Sequence, residues 1–117
     1  MRKRMLQTKL HRAKVTHADL NYEGSCGIDR RLLDASGLIP YQYIDIYNVS
    51  NGVRFSTYVI EAERGSGEIS LNGAAARCAA IGDILIICAY SEYEVEELAT
   101  YKPVVVLIDE GNRPRRA

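Results

Sequence analysis

The segment Tyr22-Glu23-Gly24-Ser25-Cys26 puts a hydroxyl directly after a glycine. Glycine has no Cβ, so the Gly24 carbonyl is open to close approach and its backbone takes strained angles at low cost. The Ser25 hydroxyl can attack that carbonyl carbon and convert the amide to an ester. Elimination across Cα–Cβ of Ser25 then releases the Gly24 carboxylate. Hydrolysis of the resulting dehydroalanine, with loss of ammonia, leaves a pyruvoyl ketone at the new N-terminus. Taken alone, a Gly-Ser pair in a loop is most often a turn. Cys26 adjoins the same bond, but a cysteine is most simply a packing residue, as Cys78 and Cys88 are expected to be.

Other polar groups recur at strand spacing. Lys9 and His11 lie two apart and share a face, where a surface cation and a hydrogen-bonded histidine would look the same. Arg54, Ser56 and Tyr58 share a face by alternation, and Thr57 points the other way. A single site using both Thr57 and Tyr58 needs a bulge, a twist, or roles on two sides of a barrel. His17, in HADL, reads as a turn or capping residue. Asn72-Gly73 is by default a hairpin turn.

The elements that must carry these groups are short. Residues 4–16 alternate loosely as a strand, and polar, glycine-containing 17–27 is expected to be a loop. Asp29 followed by RRLLDAS and Gly37 predicts a short helix with an N-cap and a C-terminal glycine. Strands are predicted at 42–49, 53–63, 68–71, 84–90 and 103–109. Asn51-Gly52 is expected to form a two-residue type I′ turn, Gly65-Ser66-Gly67 a second turn, and 74–80 a short helix. Residues 91–99 read as a surface strand or short helix. The tail GNRPRRA, with Arg113, Arg115 and Arg116, is expected to fray in solvent. Short strands separated by frequent turns argue for one small barrel.

Composition agrees with one globular domain. The chain has 117 residues, 47% of them hydrophobic, and 15 basic residues balance 15 acidic ones. That neutrality offers no footprint for nucleic acid, and no apolar run approaches the length of a membrane span. The basic N-terminus lacks the apolar core of a secretory signal, so a cytoplasmic protein is expected. Three cysteines without close pairing fit reduced thiols, and with two histidines they show no metal-ligand spacing.

The blocks KLHRAKVTHADLNYEGSCGID (9–29), NGVRFSTYVI (51–60) and NGAAARCAAIGDILII (72–87) resemble, in order and spacing, the pyruvoyl-dependent aspartate 1-decarboxylases. The likeness runs from residue 5 to residue 108; past Asp109 it carries nothing, and Tyr47 stands where a larger aromatic is frequent. The resemblance implies an all-β fold with short helices, a small double-psi β-barrel. It implies one domain, 1–117, self-cleaved into chains 1–24 and 25–117. It implies decarboxylation of L-aspartate to β-alanine, feeding pantothenate and coenzyme A biosynthesis, by a homotetramer with sites between subunits and with a possible accessory maturation protein. The cofactor would be a covalent pyruvoyl group made from Ser25, forming a Schiff base with substrate, without pyridoxal phosphate or metal.

Carried over by position, Gly24 ends the small chain and Thr57 assists cleavage by polarising the Gly24 carbonyl oxygen. Tyr58 reprotonates the substrate carbon. Lys9 and Arg54 hold substrate, with Thr57, Asn72 and the backbone of Gly73, Ala74 and Ala75 around it, and His11 and Tyr22 stand nearby. A cation paired with the departing carboxylate would stabilise the ground state, so Arg54 and Lys9 are assigned to the retained one. Two alternatives stay open: a pyruvoyl enzyme for another amino acid such as glutamate, and a non-catalytic DNA-binding or adaptor barrel.

Overall fold

In the computed structural model, which describes residues 1–115, nine strands form one continuous sheet in the order β2-β6-β3-β5-β4-β7-β1-β8-β9. They are β1 (Arg2–Lys14), β2 (His17–Asp19), β3 (Ser25–Asp29), β4 (Tyr43–Asn48), β5 (Arg54–Ala62), β6 (Ile69–Asn72), β7 (Ile84–Glu94), β8 (Val104–Ile108) and β9 (Pro114–Arg115). One α-helix, α1 (Arg30–Ser36), and two 3-10 helices, Gly73–Cys78 and Val95–Ala99, complete a β-rich, barrel-like fold. Among the described residues, no helix is long and apolar enough to cross a membrane.

The inward alternation is what sequence periodicity asks for. Leu10 of β1, Ile44 and Ile46 of β4, Val59 of β5, Ile69 and Leu71 of β6 and Leu85 and Ile87 of β7 form one buried cluster. β1 is its spine. It pairs antiparallel with β7 from Arg2 opposite Glu94 to Lys14 opposite Ile84, and parallel with β8 from Thr8 opposite Val104 to His11 opposite Leu107. Register shifts fall at Leu6/Thr8 and His11/Ala13, the second with Arg12 at φ 74°.

Four expectations need correction. The segment 17–27 is a loop only over 20–24, since its ends are strands β2 and β3. All five residues of β3 are buried between antiparallel β6 and parallel β5. A strand covered on both faces has no alternation to read, and Ser-Cys-Gly looks like a turn when it is a core strand. Second, the β4–β5 connection is the five-residue segment 49–53, not a two-residue type I′ turn. The Asn48 N–H donates to Val53 O, the Gly52 N–H donates to Asn48 O, and of the Asn51-Gly52 pair only Gly52 has positive φ. Asn48 Oδ1 accepts the Ser50 and Asn51 amides and supplies the organisation the shorter turn would have given.

Third, the predicted helix at 74–80 is a 3-10 helix that begins one residue earlier, at Gly73. Fourth, the tail is folded as far as Arg115. Asn112, at φ 57° and buried, donates to the carbonyls of Lys14 and Gly67 and accepts the Lys14 amide, which ties the end of β1 to the β5–β6 connection. Arg113 pairs with Asp109, and β9 lies on β8. Arg116 lies outside the described residues.

The helix signals hold. Asp29 caps α1 by accepting the Arg31 amide, and Gly37 closes it at φ 81°. The open choice at 91–99 resolves as both elements: β7 runs to Glu94, and a 3-10 helix with a capping box follows.

Candidate active site

Ser25 is the first residue of β3 and Gly24 lies just outside it, so the Gly24–Ser25 bond sits where irregular chain enters the sheet. Ser25 is 1% exposed. Its cross-strand partner is Asn72, the last residue of β6, and Asn72 Nδ2 donates to Ser25 Oγ at 3.0 Å. Gly73 follows in the left-handed region at φ 64°. A Cβ there would lie 2.8 Å from Gly24 Cα and 3.0 Å from the Tyr22 carbonyl oxygen, so only glycine fits. Gly24, Ser25, Asn72 and Gly73 thus form one tight unit held by backbone proximity and one buried hydrogen bond. Ala74 is exposed and Ala75 buried in the first turn of the 3-10 helix, where backbone N–H groups have no intrahelical acceptor.

Thr57 and Tyr58 enter from β5. Cys26 pairs with Val59 in the parallel β3–β5 ladder, so Thr57 and Tyr58 are the two β5 residues that precede the start of that pairing. Thr57 opposes the buried Ile44, whereas Tyr58 opposes the exposed Tyr43 and stacks on Tyr41 with ring centroids 6.0 Å apart. The two side chains leave opposite faces, as alternation requires, yet both reach the rim of one recess with Tyr41, Tyr43 and Ser56. That recess includes neither Gly24 nor Ser25.

The predicted cations lie elsewhere in the protomer. Reading across β1, β7, β4 and β5, one row runs Lys9, Cys88, Asp45, Ser56 and the next but one runs His11, Ile86, Tyr47, Arg54. Arg54 lies over the Tyr47 ring, 4.4 Å from its centroid, in a recess shared with Arg4, Asp45, Phe55, Ser56 and Tyr90. His11 lines a separate recess with Arg12, Lys14, Asp109 and Arg115; its Nδ1 is buried without a partner. Burial first, then Lys9 and Arg12, lower its pKa. Tyr22 and Asn72 border a further recess with His17, Asp19, Glu61 and Glu68. Arg54 and Asn72 line different recesses, and neither Lys9 nor Ser25 lines either of them.

Cys26, next to Ser25, is fully buried. Burial, reinforced by Glu68, pushes its thiol up to about 12, so it is neutral at ordinary pH. At the far end of β3, burial alone would raise Asp29, but hydrogen bonds from Arg31, Gly67 and Gly65 outweigh it and hold the carboxylate at about 2. That anion fixes the strand whose other end carries Ser25. Among the described residues, no three His, Cys, Asp or Glu side chains gather as metal ligands would.

Sequence reading passed over Arg4, Asp45 and Tyr90. The signal was available in Tyr43, Asp45 and Tyr47, which alternate outward on β4, but only strand pairing puts Tyr90 beside them.

The aspartate decarboxylase family model matches residues 1–115, past the point where the resemblance carried by the quoted blocks ends. The aspartate 1-decarboxylase of Ralstonia pickettii (strain 12J) is 64% identical over 113 residues, covering 97% of this chain and 94% of that protein. Those of Cupriavidus taiwanensis and Bordetella avium are 63% and 61% identical, over 96% and 97% of this chain and 93% of each relative.

Proposed function

The chain belongs to the aspartate decarboxylase family, and on that premise we propose that it matures by cutting its own Gly24–Ser25 bond and works through a pyruvoyl group left at residue 25. The reaction is decarboxylation of L-aspartate to β-alanine, in the cytoplasm, as a step toward pantothenate and coenzyme A. The observation that carries the proposal is the buried hydrogen bond from Asn72 to Ser25 beside the glycine-only contact of Gly73 with Gly24. It supports a hydroxyl held still next to an unhindered carbonyl, the arrangement an acyl shift needs.

Maturation then balances without a co-reactant other than water. Ser25 Oγ bonds to the Gly24 carbonyl carbon, and the C–N bond breaks to give an ester and a free amine. Loss of the Cα proton expels the Gly24 carboxylate from Cβ. Water replaces the nitrogen, which leaves as ammonia. Thr57, on the strand beside β3, is the proposed donor to the oxygen that becomes negative during the shift. The mature protein consists of residues 1–24 and 25–117 in one domain.

The surroundings fit the group. Ser25 is enclosed by sheet neighbours, and Asn72 offers an amide donor to whatever oxygen replaces the hydroxyl. When present, the pyruvoyl ketone supplies an electrophile for the substrate amine and an electron sink as carbon dioxide leaves. Arg54 binds the retained carboxylate with the bidentate geometry of a guanidinium, and Lys9 adds a second positive charge. Tyr58, on the neighbouring strand β5, donates the proton that the substrate carbon gains. Asn72 and the backbone of Gly73, Ala74 and Ala75 form the polar rim, with His11 and Tyr22 at its margin.

Because Arg54 and Asn72 open into different recesses of one protomer, we assign the cations facing each Ser25 to a neighbouring copy, in a homotetramer. An accessory maturation protein is part of the same proposal, as a factor that accelerates the cut.

Intact-mass measurement tests the reading. The expected result is two fragments, the larger lighter by one ammonia than a serine-terminated chain, and Ser25→Ala should remain whole and inactive. An active protein that stays uncut would overturn it.

A further inference from the structure

The face that carries Arg54 holds a second connection. Tyr47 and Tyr90 bond hydroxyl to hydroxyl at 2.9 Å. Their strands are adjacent, but Tyr47 is paired with Ile86, four residues before Tyr90 on β7. Four residues of strand span about 13 Å. The two phenols meet only because each ring leans along the sheet toward the other instead of standing off it. The Tyr47 ring therefore lies down, and the Arg54 guanidinium rests on it, 4.4 Å from the centroid.

We propose that Tyr90 is a positioning residue for aspartate: by holding the Tyr47 hydroxyl it fixes the ring on which Arg54 is seated, and so fixes the guanidinium that receives the retained carboxylate. This rests on the proposed role of Arg54.

A tyrosine ring is set by two soft torsions, and a cation–π contact restrains it weakly at an open site. Tethered at its hydroxyl, the Tyr47 ring offers one orientation, and a guanidinium stacked on it loses little freedom when substrate arrives. The tether is itself supported. The hydrogen bond with Tyr47, followed by burial, raises the Tyr90 pKa well above the ordinary phenol value. The Arg4 guanidinium lies 5.9 Å from the Tyr90 ring centroid, and Asp45 and Lys9 face Cys88 from the flanking strands. Tyr90 stays neutral through the range in which the enzyme works, so the tether holds at every ordinary pH.

Steady-state kinetics on Tyr90→Phe, Tyr47→Phe, the double variant and Arg54→Ala decide the matter, with rates referred to processed sites counted by intact mass. A hydrogen bond of this kind typically corresponds to about three- to tenfold. Each single phenylalanine variant should raise KM for aspartate by that factor with kcat within about twofold, because binding common to ground and transition states is lost. The double variant should be no worse than either single one, since both remove the same bond. If Arg54→Ala weakens aspartate but neither phenylalanine variant changes KM, or if the two effects multiply, the tether is refuted while the site stands. A change in kcat alone refutes it also. A normal kcat/KM in processed Arg54→Ala removes Arg54 from the site and the inference with it. Should Tyr90→Phe fail to fold, Tyr47→Phe breaks the same bond from the other side.

Discussion

Asn72 and Ser25 face each other across β6 and β3, and the Asn72 amide donates to the Ser25 hydroxyl at 3.0 Å with both residues buried. A donor on Oγ removes the hydroxyl's freedom to rotate and leaves its own proton and remaining lone pair to act on Gly24. Asn72→Ala should slow the cut about three- to tenfold, the value of one hydrogen bond of this type. A time course of intact mass from freshly purified protein measures it, and an unchanged half-time would mean that Ser25 is oriented by something else.

Gly73→Ala should interfere more severely. The added methyl would sit 2.8 Å from Gly24 Cα at a φ of 64°, and either the Gly24 backbone or the 3-10 helix must move. The left-handed penalty alone is about 1–2 kcal/mol. Cleavage at least tenfold slower, in a protein whose far-ultraviolet circular dichroism is normal, is the expected outcome.

Tyr58→Phe keeps the ring that stacks on Tyr41 and deletes only the hydroxyl. A positioned proton donor contributes roughly 10²–10⁴-fold, so the cleaved variant should bind aspartate and turn over far more slowly. A processed variant that makes β-alanine near the normal rate would leave Tyr58 as packing only.

Asp29 sets a pH dependence of stability. Its carboxylate is held at about 2 against an ordinary 3.8, so the fold gains from it above pH 4 and loses the gain as pH falls through 4 toward 2. Asp29→Asn keeps the N-cap geometry but not the charge. In the uncut Ser25→Ala background it should lose about 2 kcal/mol at pH 7. Urea titrations at pH 7 and pH 3 should show the gap narrowing at the lower value; a gap independent of pH would exclude the carboxylate's charge as the cause.

Periodicity made the barrel-like fold legible, and it failed where burial is two-sided. Leu10, Ile44 and Ile46 alternate with polar neighbours and were readable as core. Ser25 to Asp29 are buried throughout, so that strand carries no pattern. The choice of Ser25, Thr57 and Tyr58 came from the resemblance and not from spacing, because proximity across β3 and β5 depends on a parallel pairing that sequence does not display. The register that sets Cys26 level with Val59 is visible only in the fold. Tyr90 was invisible for a similar reason: its link to Tyr47 spans two strands and four residues.

Strand β1 lies entirely within residues 1–24, yet it sits inside the sheet between β7 and β8. Once the Gly24–Ser25 bond is gone, nothing covalent holds that strand in place, and only its two ladders and buried residues retain it. Unfolding then releases two molecules, and recovery becomes a second-order encounter whose rate falls with dilution. A short peptide must find a partner that has lost an interior strand and is prone to self-association. The chain has one efficient opportunity to fold, while it is still whole. Self-cleavage is thereby a ratchet: the same event that would make the enzyme competent would also make its denaturation, in practice, a one-way loss.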